Sequence, residues 1–391
     1  MIGLYGQLYH IAKKYPHKTA IIFNNDKLTY KQLIRQIDTI SNMYEQELKL
    51  STKQRIGLLA INSIEWITYF FALDKIKITC YIFNPYKDDK VINNLVEMSG
   101  LDLIFVDTTM KDKIKNISNI VWIKKIYPDD TPVTKNKYYI NDFEERVVAV
   151  QCSSGTTGIS KRAQRTVSNY MADFHNIIVS MQYTENEIVF CPVPLSHGYG
   201  LTMGVISTVL NGGTLVLQKW FMPNRFFTII NNYNVTVFLG TPAIYDSINR
   251  YEGDKTTTKY PNVLLSSGDS LSKEIAISFY HLSNRWIQQM YGLMETSTVA
   301  VNLDASENTI LSVGKKVKDV DIKLLNKDVR GVGEILISSK SLSNAYIEKS
   351  IEMIEINGID WYATGDLGKI IDDNLYILGR KEEKSYDHDN W

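Results

Sequence analysis

The chain has 391 residues, which is more than one compact domain usually holds and favours about two to three closely packed lobes. Lysine plus arginine and aspartate plus glutamate number 43 each, so the formal net charge at pH 7 is zero. Because nucleic-acid-binding proteins concentrate positive charge on one face, this balance gives no indication of a nucleic-acid partner.

Cysteine usage and hydropathy indicate the compartment. Cys80, Cys152 and Cys191 lie far apart, each inside or beside an apolar run, which fits buried thiols in a reducing compartment better than disulfides or a metal site. No stretch of about 18 uninterrupted apolar residues occurs, and the amino terminus lacks the layout of a signal peptide. We expect a cytoplasmic protein without a transmembrane segment. Peripheral membrane contact and the oligomeric state are left open.

Strand-like apolar runs alternate with helical patterns up to about residue 310. Strands are predicted at residues 55–60, Leu103–Val106, Val147–Cys152, 187–193, 213–218, 235–239, Val263–Ser266 and 286–289, and a helix at 64–76. This alternation predicts an α/β fold with helices layered on sheets. Short alternating strands at about 311–378, with Gly331, Gly333 and a turn at 372–374, predict a small β-rich subdomain.

Residues 153–161 crowd hydroxyls, two glycines and a lysine into one short loop: Ser153, Ser154, Gly155, Thr156, Thr157, Gly158, Ile159, Ser160 and Lys161. Its backbone N–H groups can point at an anion, and the lysine adds a positive charge. The spacing is not that of a Walker loop. A strand is predicted to enter the loop, Lys161 to begin the next strand, and a helix to start near Ser168. We predict a phosphate-binding loop, with a flexible turn as the alternative.

Further clusters follow the loop in a specific order. They are PLSHG at 194–198, YGLME at 291–295, SVG at 312–314, YATGDL at 362–367 and the pair at 379–380. With LTY at 28–30 and NP at 84–85, the chain resembles the acyl-adenylate-forming enzymes, which include acyl-CoA synthetases, luciferases and peptide-synthetase adenylation domains. The resemblance implies their large domain, at residues 1–380, with two layered α/β subdomains plus the β-rich subdomain. It also implies two reactions at one site: a carboxylate attacks the α-phosphate of ATP, and a thiol then attacks the acyl-adenylate.

The resemblance assigns residues to ATP and Mg²⁺. The loop from Ser153 to Lys161 would hold the β- and γ-phosphates, and Glu295 aligns with the glutamate that holds Mg²⁺. Tyr291 would stack on adenine, with Ser267, Gly268 and Asp269 passing its other face. Asp366 would accept hydrogen bonds from the ribose hydroxyls, and Arg380 would contact ribose and phosphate. Lys161, His197 and Glu295 are the expected catalytic residues.

The acid is predicted from the segment after His197, which the resemblance places at the mouth of the acyl pocket. Residues 198–218 contain no Asp or Glu, so this part of the pocket offers no anion for an α-ammonium group and favours a plain carboxylic acid over an amino acid. The small and apolar residues Gly198, Gly200, Leu201, Met203 and Gly204 predict a tunnel for an alkyl chain, as for a fatty acid.

The chain departs from the family pattern at two places. The family usually has threonine or serine before the glutamate, whose hydroxyl bonds the α-phosphate, whereas this chain has Met294, which donates no hydrogen bond. Thr296 or Thr298 could compensate, or Met294 could fill an apolar wall. Residues 381–391 form a charged, disordered tail by composition, where family members carry a mobile domain of roughly a hundred residues.

We therefore expect an ATP-dependent ligase that joins a medium- or long-chain fatty acid to coenzyme A. An aromatic or succinylated aromatic acid is the alternative substrate. A catalytically impaired nucleotide- or acyl-binding protein is the alternative class, because Met294 and the short carboxyl end both weaken the case for catalysis.

Overall fold

The computed structural model describes residues 2–24, 26–114, 117, 119–125, 145–152, 161–256, 259–343 and 345–381. Its strands are β1 Thr19–Phe23, β2 Asp26–Thr29, β3 Ile56–Leu59, β4 Cys80–Phe83, β5 Leu103–Val106, β6 Ile120–Trp122, β7 Val147–Cys152, β8 Arg162–Thr166, β9 Ile188–Cys191, β10 Thr214–Leu217, β11 Val237–Gly240, β12 Val263–Ser266, β13 Gln288–Leu293, β14 Ser297–Val301, β15 Lys315–Lys316, β16 Val320–Leu325, β17 Gly333–Ser339, β18 Ala345–Tyr346, β19 Met353–Ile356, β20 Ile359–Ile371 and β21 Asn374–Arg380.

The helices are α1 Leu4–Lys14, α2 Tyr30–Gln46, α3 Ile64–Lys75, α4 Asp89–Ser99, α5 Val167–Met181, α6 Ser207–Val209, α7 Pro223–Tyr233, α8 Pro242–Arg250 and α9 Lys273–Ser283. A 3-10 turn covers Thr108–Met110, and a π-helix, Gly200–Ile206, runs directly into α6. No helix in the described part of the chain is both long and apolar enough to cross a lipid bilayer.

The strands form three sheets. The nine-stranded sheet has the order β15-β14-β13-β12-β11-β9-β10-β1-β2, and the seven-stranded sheet has the order β18-β8-β7-β4-β3-β5-β6. Both are parallel in the middle and antiparallel at an edge. The five-stranded sheet is antiparallel, with the order β16-β17-β20-β19 and β21 beside β20. The predicted α/β layers with a smaller β-rich part are therefore confirmed.

The largest apolar core joins the two parallel sheets through their helices. It contains Ile21 of β1, Ile56 of β3 and Val189 of β9, and it takes in most of α3. All residues of α3 except Glu65 are buried, which is typical of a helix enclosed on nearly all sides. Ser63 begins this helix by accepting a hydrogen bond from the Trp66 N–H at 3.1 Å. This shared core fixes the position of the two parallel sheets relative to each other.

Several predicted boundaries move, and two of the shifts concern the site. The helix expected near Ser168 begins at Val167, because Thr166 and Asn169 form a reciprocal capping box. The strand expected at 286–289 starts at Gln288 and continues to Leu293, so the YGLME segment lies partly on a strand. The predictions at Leu103–Val106, Val147–Cys152 and Val263–Ser266 are confirmed to the residue.

The region from residue 311 contains more than one sheet. β15 joins the nine-stranded sheet through β14, and β18 joins the seven-stranded sheet through β8. β20 has 13 residues, so it is longer than the short strands expected there. The turn at 372–374 joins β20 to β21, with Asp372 and Asp373 at positive φ. These pairings bring all three sheets together near the ends of β8, β13 and β21.

Candidate active site

The predicted phosphate-binding loop lies between β7 and β8. Ser153, Ser154, Gly155, Thr156, Thr157 and Gly158 lie outside the described residues. The two strands that flank the loop are antiparallel and pair Cys152 with Arg162, as the prediction of a strand on either side requires. Lys161 directly precedes β8, and its Nζ lies 5.4 Å from the centre of the Tyr346 ring, within the range of a cation–π contact.

Glu295 lies in the turn between β13 and β14, and its side chain is buried among tyrosines. Its carboxylate accepts a hydrogen bond of 2.5 Å from the Tyr346 hydroxyl. The Tyr362 hydroxyl lies 3.4 Å from that of Tyr346. Burial and the charge of Glu295 raise the pKa of both tyrosines, so both hydroxyls keep their protons. Sequence reasoning missed these two residues, although Tyr362 stands in the YATGDL segment.

The backbone of the Glu295 turn is fixed from behind. The Glu295 carbonyl oxygen accepts hydrogen bonds from Arg165 Nη1 at 2.8 Å and from the Ser343 N–H at 2.7 Å. Arg165 is fully buried, and burial lowers the pKa of its guanidinium. Asp173, equally buried, accepts a hydrogen bond from the Thr298 N–H, and burial raises the pKa of its carboxyl to about 6. No pattern in the sequence had indicated that Arg165 and Asp173 are buried behind this turn.

Met294 packs into an apolar cluster formed by Ala163, Leu342, Tyr346, Ile351 and Tyr362. The two threonines that could replace its missing hydroxyl are buried in the hairpin. The Thr296 hydroxyl donates to the Ser297 carbonyl oxygen at 3.4 Å. The Thr298 hydroxyl contacts Met290 Sδ at 4.0 Å and stabilises the ionised Asp173. Both hydroxyls thus have partners within the turn or behind it. The Met294 side chain fills part of an apolar wall.

Tyr291, Asp366 and Arg380 form one hydrogen-bonded group. The Tyr291 hydroxyl donates to Asp366 Oδ2 at 2.5 Å, and Arg380 Nε donates to Asp366 Oδ1 at 2.9 Å. Asp366 and Arg380 are direct neighbours across β20 and β21, and Arg380 Nη1 also donates to the Thr364 carbonyl oxygen. Burial and the charge of Asp366 raise the pKa of Tyr291. The sequence predicted these three residues separately, but not the bonds between them.

Ser267, Gly268 and Asp269 follow β12, the parallel neighbour of β13. The register pairs Ser266, the last residue of β12, with Gln289, two residues before Tyr291. Gly268 has φ +91°, and a Cβ built there would meet no atom within 4 Å. The backbone therefore leaves open space beside Gly268, as a flat ring would need.

His197 follows β9 at the same edge of the nine-stranded sheet. Its N–H donates to the Pro194 carbonyl oxygen at 3.1 Å, and its Nδ1 accepts from the Tyr199 N–H at 3.3 Å. The ring keeps contact with solvent, yet the surrounding protein and the charge of Lys87 lower the pKa of His197. At neutral pH the imidazole is therefore uncharged and has Nε2 left to meet a ligand.

Most of the residues predicted to form an alkyl tunnel after His197 are closely packed. Leu201 and Met203 are fully buried. A Cβ on Gly200 would meet the Pro194 carbonyl oxygen at 2.2 Å, and one on Gly204 would meet Cys191 Sγ at 2.6 Å. Gly198 differs, because its nearest neighbour would be the Gln151 carboxamide at 3.8 Å. Gly200 and Gly204 therefore let the π-helix approach β9 and the turn after it.

The family model described as "AMP-binding enzyme" matches residues 8–347, which is most of the chain. The chain belongs to the AMP-binding enzyme family. The VraA protein of Staphylococcus epidermidis, whose name places it among long chain fatty acid–CoA ligases, is 28% identical over 96% of this chain and 76% of its own length. A 2-succinylbenzoate–CoA ligase of the same species is 23% identical over 94% of this chain and 75% of its own.

The solved structure of ATP-bound MatB from Rhodopseudomonas palustris superposes with a TM-score of 0.85 at 19% identity, covering 97% of this chain and 79% of that one. At this identity the likeness concerns the fold. It confirms the predicted large domain of an adenylate-forming enzyme.

Among the described residues of this AMP-binding enzyme, no group of three or more His, Cys, Asp or Glu could hold a metal by itself. Glu295 is the acidic side chain that the resemblance assigns to Mg²⁺. Mg²⁺ commonly binds through one or two carboxylates together with substrate phosphates, so one carboxylate such as Glu295 would fit an ion that arrives with ATP. Tyr291, which donates to Asp366, and the Glu295 turn lie on the same hairpin, β13 to β14.

Proposed function

We propose that this AMP-binding enzyme activates a carboxylic acid with ATP to an acyl-adenylate and transfers the acyl group to coenzyme A. The observation that carries the proposal is the group formed by Tyr291, Asp366 and Arg380. It combines an aromatic ring, a buried carboxylate and a cation at the end of β13, four residues before Glu295. Adenine, ribose and phosphate need these three kinds of partner in this order.

Negative charge is the main obstacle in the first step, because an anionic carboxylate must approach a polyanion. Lys161 and the loop before it would hold the outer phosphates, and Arg380 would neutralise charge near the ribose. Asp366 would fix the ribose through its hydroxyls. When bound at Glu295, Mg²⁺ would offset the charge of the phosphate oxygens. Neutral His197 would orient the carboxylate of the acid near the positive Lys87.

We infer that the acid is a medium- or long-chain fatty acid. Residues 198–218 carry no acidic side chain, and the relative VraA is named for long chain fatty acids. Since neighbouring atoms fill the space beside Gly200 and Gly204, the alkyl chain would have to enter past Gly198. The alternative is an aromatic acid, which the named activity of the 2-succinylbenzoate ligase supports.

We place the reaction in the cytoplasm, because the cysteines fit a reducing compartment. Cys80, Cys152 and Cys191 are all free thiols. Burial raises the pKa of the Cys191 and Cys152 thiols to about 12, which keeps them protonated and unreactive.

The test is ATP–pyrophosphate exchange by the 391-residue chain with a panel of acids. Fatty acids of increasing length and a set of benzoates would be compared at fixed ATP and Mg²⁺, with Glu295→Gln as the inactive control. A thermal-shift measurement with the same acids accompanies the exchange assay. The rise in melting temperature should grow with chain length, since each buried methylene contributes about 0.8 kcal/mol. An equal rise for all fatty acids, together with a clear rise for a benzoate, would select the aromatic acid.

The same assay tests the alternative class, a nucleotide- or acyl-binding protein without catalysis. Met294 gives this alternative its specific support, because the hydroxyl usual at this position is missing. Such a protein would be stabilised by ATP and an acid, yet it would exchange no label from pyrophosphate into ATP.

A further inference from the structure

The hydroxyl of Tyr346 lies directly beside the carboxylate of Glu295. Tyr346 lies on β18, far from the Glu295 turn in sequence, and its hydroxyl donates to Glu295 Oε1. Its ring faces Lys161 Nζ on one side and packs with Met294 and Tyr362 in the apolar cluster. One tyrosine therefore contacts the expected metal ligand, the lysine that ends the loop and the residue that lacks a hydroxyl.

The neighbouring hydroxyls of the turn have other partners. Thr296 donates to the Ser297 carbonyl oxygen, and Thr298 faces Asp173 and Met290. The Ser343 hydroxyl lies within hydrogen-bond distance of the carbonyl oxygens of Gln164 at 2.7 Å and Ala345 at 3.0 Å. The Tyr346 hydroxyl differs from these, because its acceptor is the Glu295 carboxylate, beside which a phosphate would be bound.

We propose that the Tyr346 hydroxyl supplies the hydrogen bond to the nucleotide α-phosphate that Met294 cannot donate. This inference rests on the proposed function. A phosphate oxygen that shares an ion with Glu295 lies next to that carboxylate, and the Tyr346 hydroxyl is already there. In this structure the hydroxyl donates its one proton to Glu295 Oε1, so it would turn from that carboxylate to the phosphate oxygen when the nucleotide binds. A hydrogen bond to a charged oxygen is stronger than one between neutral groups.

The scaffold holds Tyr346 rigidly enough for this task. β18 pairs with β8, which places Tyr346 opposite Ala163, and the Tyr346 N–H donates to the Lys349 carbonyl oxygen at 2.8 Å. The Tyr362 hydroxyl lies 3.4 Å from that of Tyr346 and can orient it. Tyr346 is therefore the donor, and Tyr362 is a positioning residue.

The experiment compares AMP with adenosine by calorimetry, using Tyr346→Phe, Met294→Thr and the double variant. Adenosine lacks the phosphate, so it separates loss of this hydrogen bond from general damage. Tyr346→Phe keeps the ring and should weaken AMP about tenfold while leaving adenosine unchanged. Met294→Thr alone should change AMP affinity less than about twofold, because the role is already filled. The double variant should recover most of the lost affinity, because threonine restores a hydroxyl at the usual position.

Several outcomes would overturn the inference. Equal weakening of AMP and adenosine by Tyr346→Phe would make the tyrosine a structural residue. A tenfold gain in AMP affinity from Met294→Thr alone would mean that the donor role is vacant, and this arm stands even if Tyr346→Phe does not fold. Failure of the unaltered chain to bind AMP or ATP would instead refute the proposed function. Tyr362→Phe is the matched control, with an expected effect on AMP of less than about threefold.

Discussion

At the scale of single residues, two buried aspartates near the site have opposite surroundings. Asp366 lies between a tyrosine hydroxyl and an arginine, where a ribose would need acceptors. Asp173 is behind the Glu295 turn, where burial outweighs the stabilising charge of Arg165 and raises the pKa of its carboxyl. Asp366 is therefore expected to bind a ligand, and Asp173 is expected to affect the stability of the fold.

Asp366→Ala should weaken AMP and ATP alike, by about tenfold or more, because both nucleotides carry the ribose. Lys161→Ala should weaken ATP much more than AMP, since its expected partners are the outer phosphates. Calorimetric titration of each variant with both nucleotides checks this pair of expectations. Asp360→Ala, at an exposed position of the same strand as Asp366, is the control. A variant of Asp366 that binds AMP normally would remove this residue from the site.

Asp173 should make stability depend on pH. Its folded pKa of about 6 lies above the ordinary 3.8, so between these values the native state holds a proton that the unfolded chain releases. The free energy of unfolding should therefore fall as the pH rises from 4 to 6, by about 1.4 kcal/mol for each pKa unit. Denaturant unfolding of the natural chain and of Asp173→Asn isolates this effect as a difference. A difference that stays constant from pH 4.5 to 7.5 would contradict it.

At the scale of elements, the π-helix Gly200–Ile206 is shaped by its contact with β9 and the turn after it. All its residues are buried, and Gly200 and Gly204 lie on the side that meets Pro194 and Cys191. The wide π-helical turn and the missing side chains act together, because they let the two backbones approach. His197 stands at the start of this element, so its position depends on the same packing.

Alanine substitutions at these glycines should lower the free energy of unfolding by different amounts. Gly200→Ala should lower the free energy of unfolding by about 1–3 kcal/mol, because its Cβ would overlap a backbone carbonyl that cannot rotate away. Gly204→Ala should have a smaller effect, since the Cys191 thiol can turn aside. Gly198→Ala is the matched control and should be nearly neutral. Thermal melts of the three variants would show the order, and a destabilised Gly198→Ala with a normal Gly200→Ala would refute it.

At the scale of the whole molecule, the candidate site is where three sheets meet. The strands on either side of the predicted loop belong to the seven-stranded sheet, Glu295 and Tyr291 to the nine-stranded sheet, and Asp366 and Arg380 to the five-stranded sheet. In the same part of the chain as the five-stranded sheet, β15 pairs with β14 of the nine-stranded sheet and β18 pairs with β8 of the seven-stranded sheet. The chain spans 76% of the length of its relative VraA.

A polypeptide of these 391 residues should form acyl-adenylate but little acyl-CoA. Fusing the carboxyl-terminal domain of a related ligase after Arg380 should raise thioester formation by about a hundredfold or more, because it would add a charge-stabilising lysine and position the thiol. Thioester assays of the chain and the fusion, with Glu295→Ala in the fusion as the inactive control, check this. Rapid coenzyme A ligation by the short chain would refute the need for the added domain.

The sequence by itself determined the layers of the fold and supplied the candidate residues of the site. Apolar runs and turn residues are local signals, and they predicted β5, β7 and β12 to the residue. The order of the segments at 153–161, 291–295 and 362–367 identified Tyr291, Glu295 and Asp366 as candidates before any fold was known. These features were predictable because each depends on neighbours within one short segment.

Only the tertiary structure decided which of these residues touch, and what supports them. Tyr346 is 51 residues from Glu295, and Arg165 is 130 residues from it, so strand pairing between distant segments creates these contacts. The same holds for Gly200 and Gly204, whose missing side chains are explained by β9 and the turn after it. Hydrogen bonds and close packing need atoms within a few ångströms, and for residues far apart in sequence only the assembled sheets bring them that near.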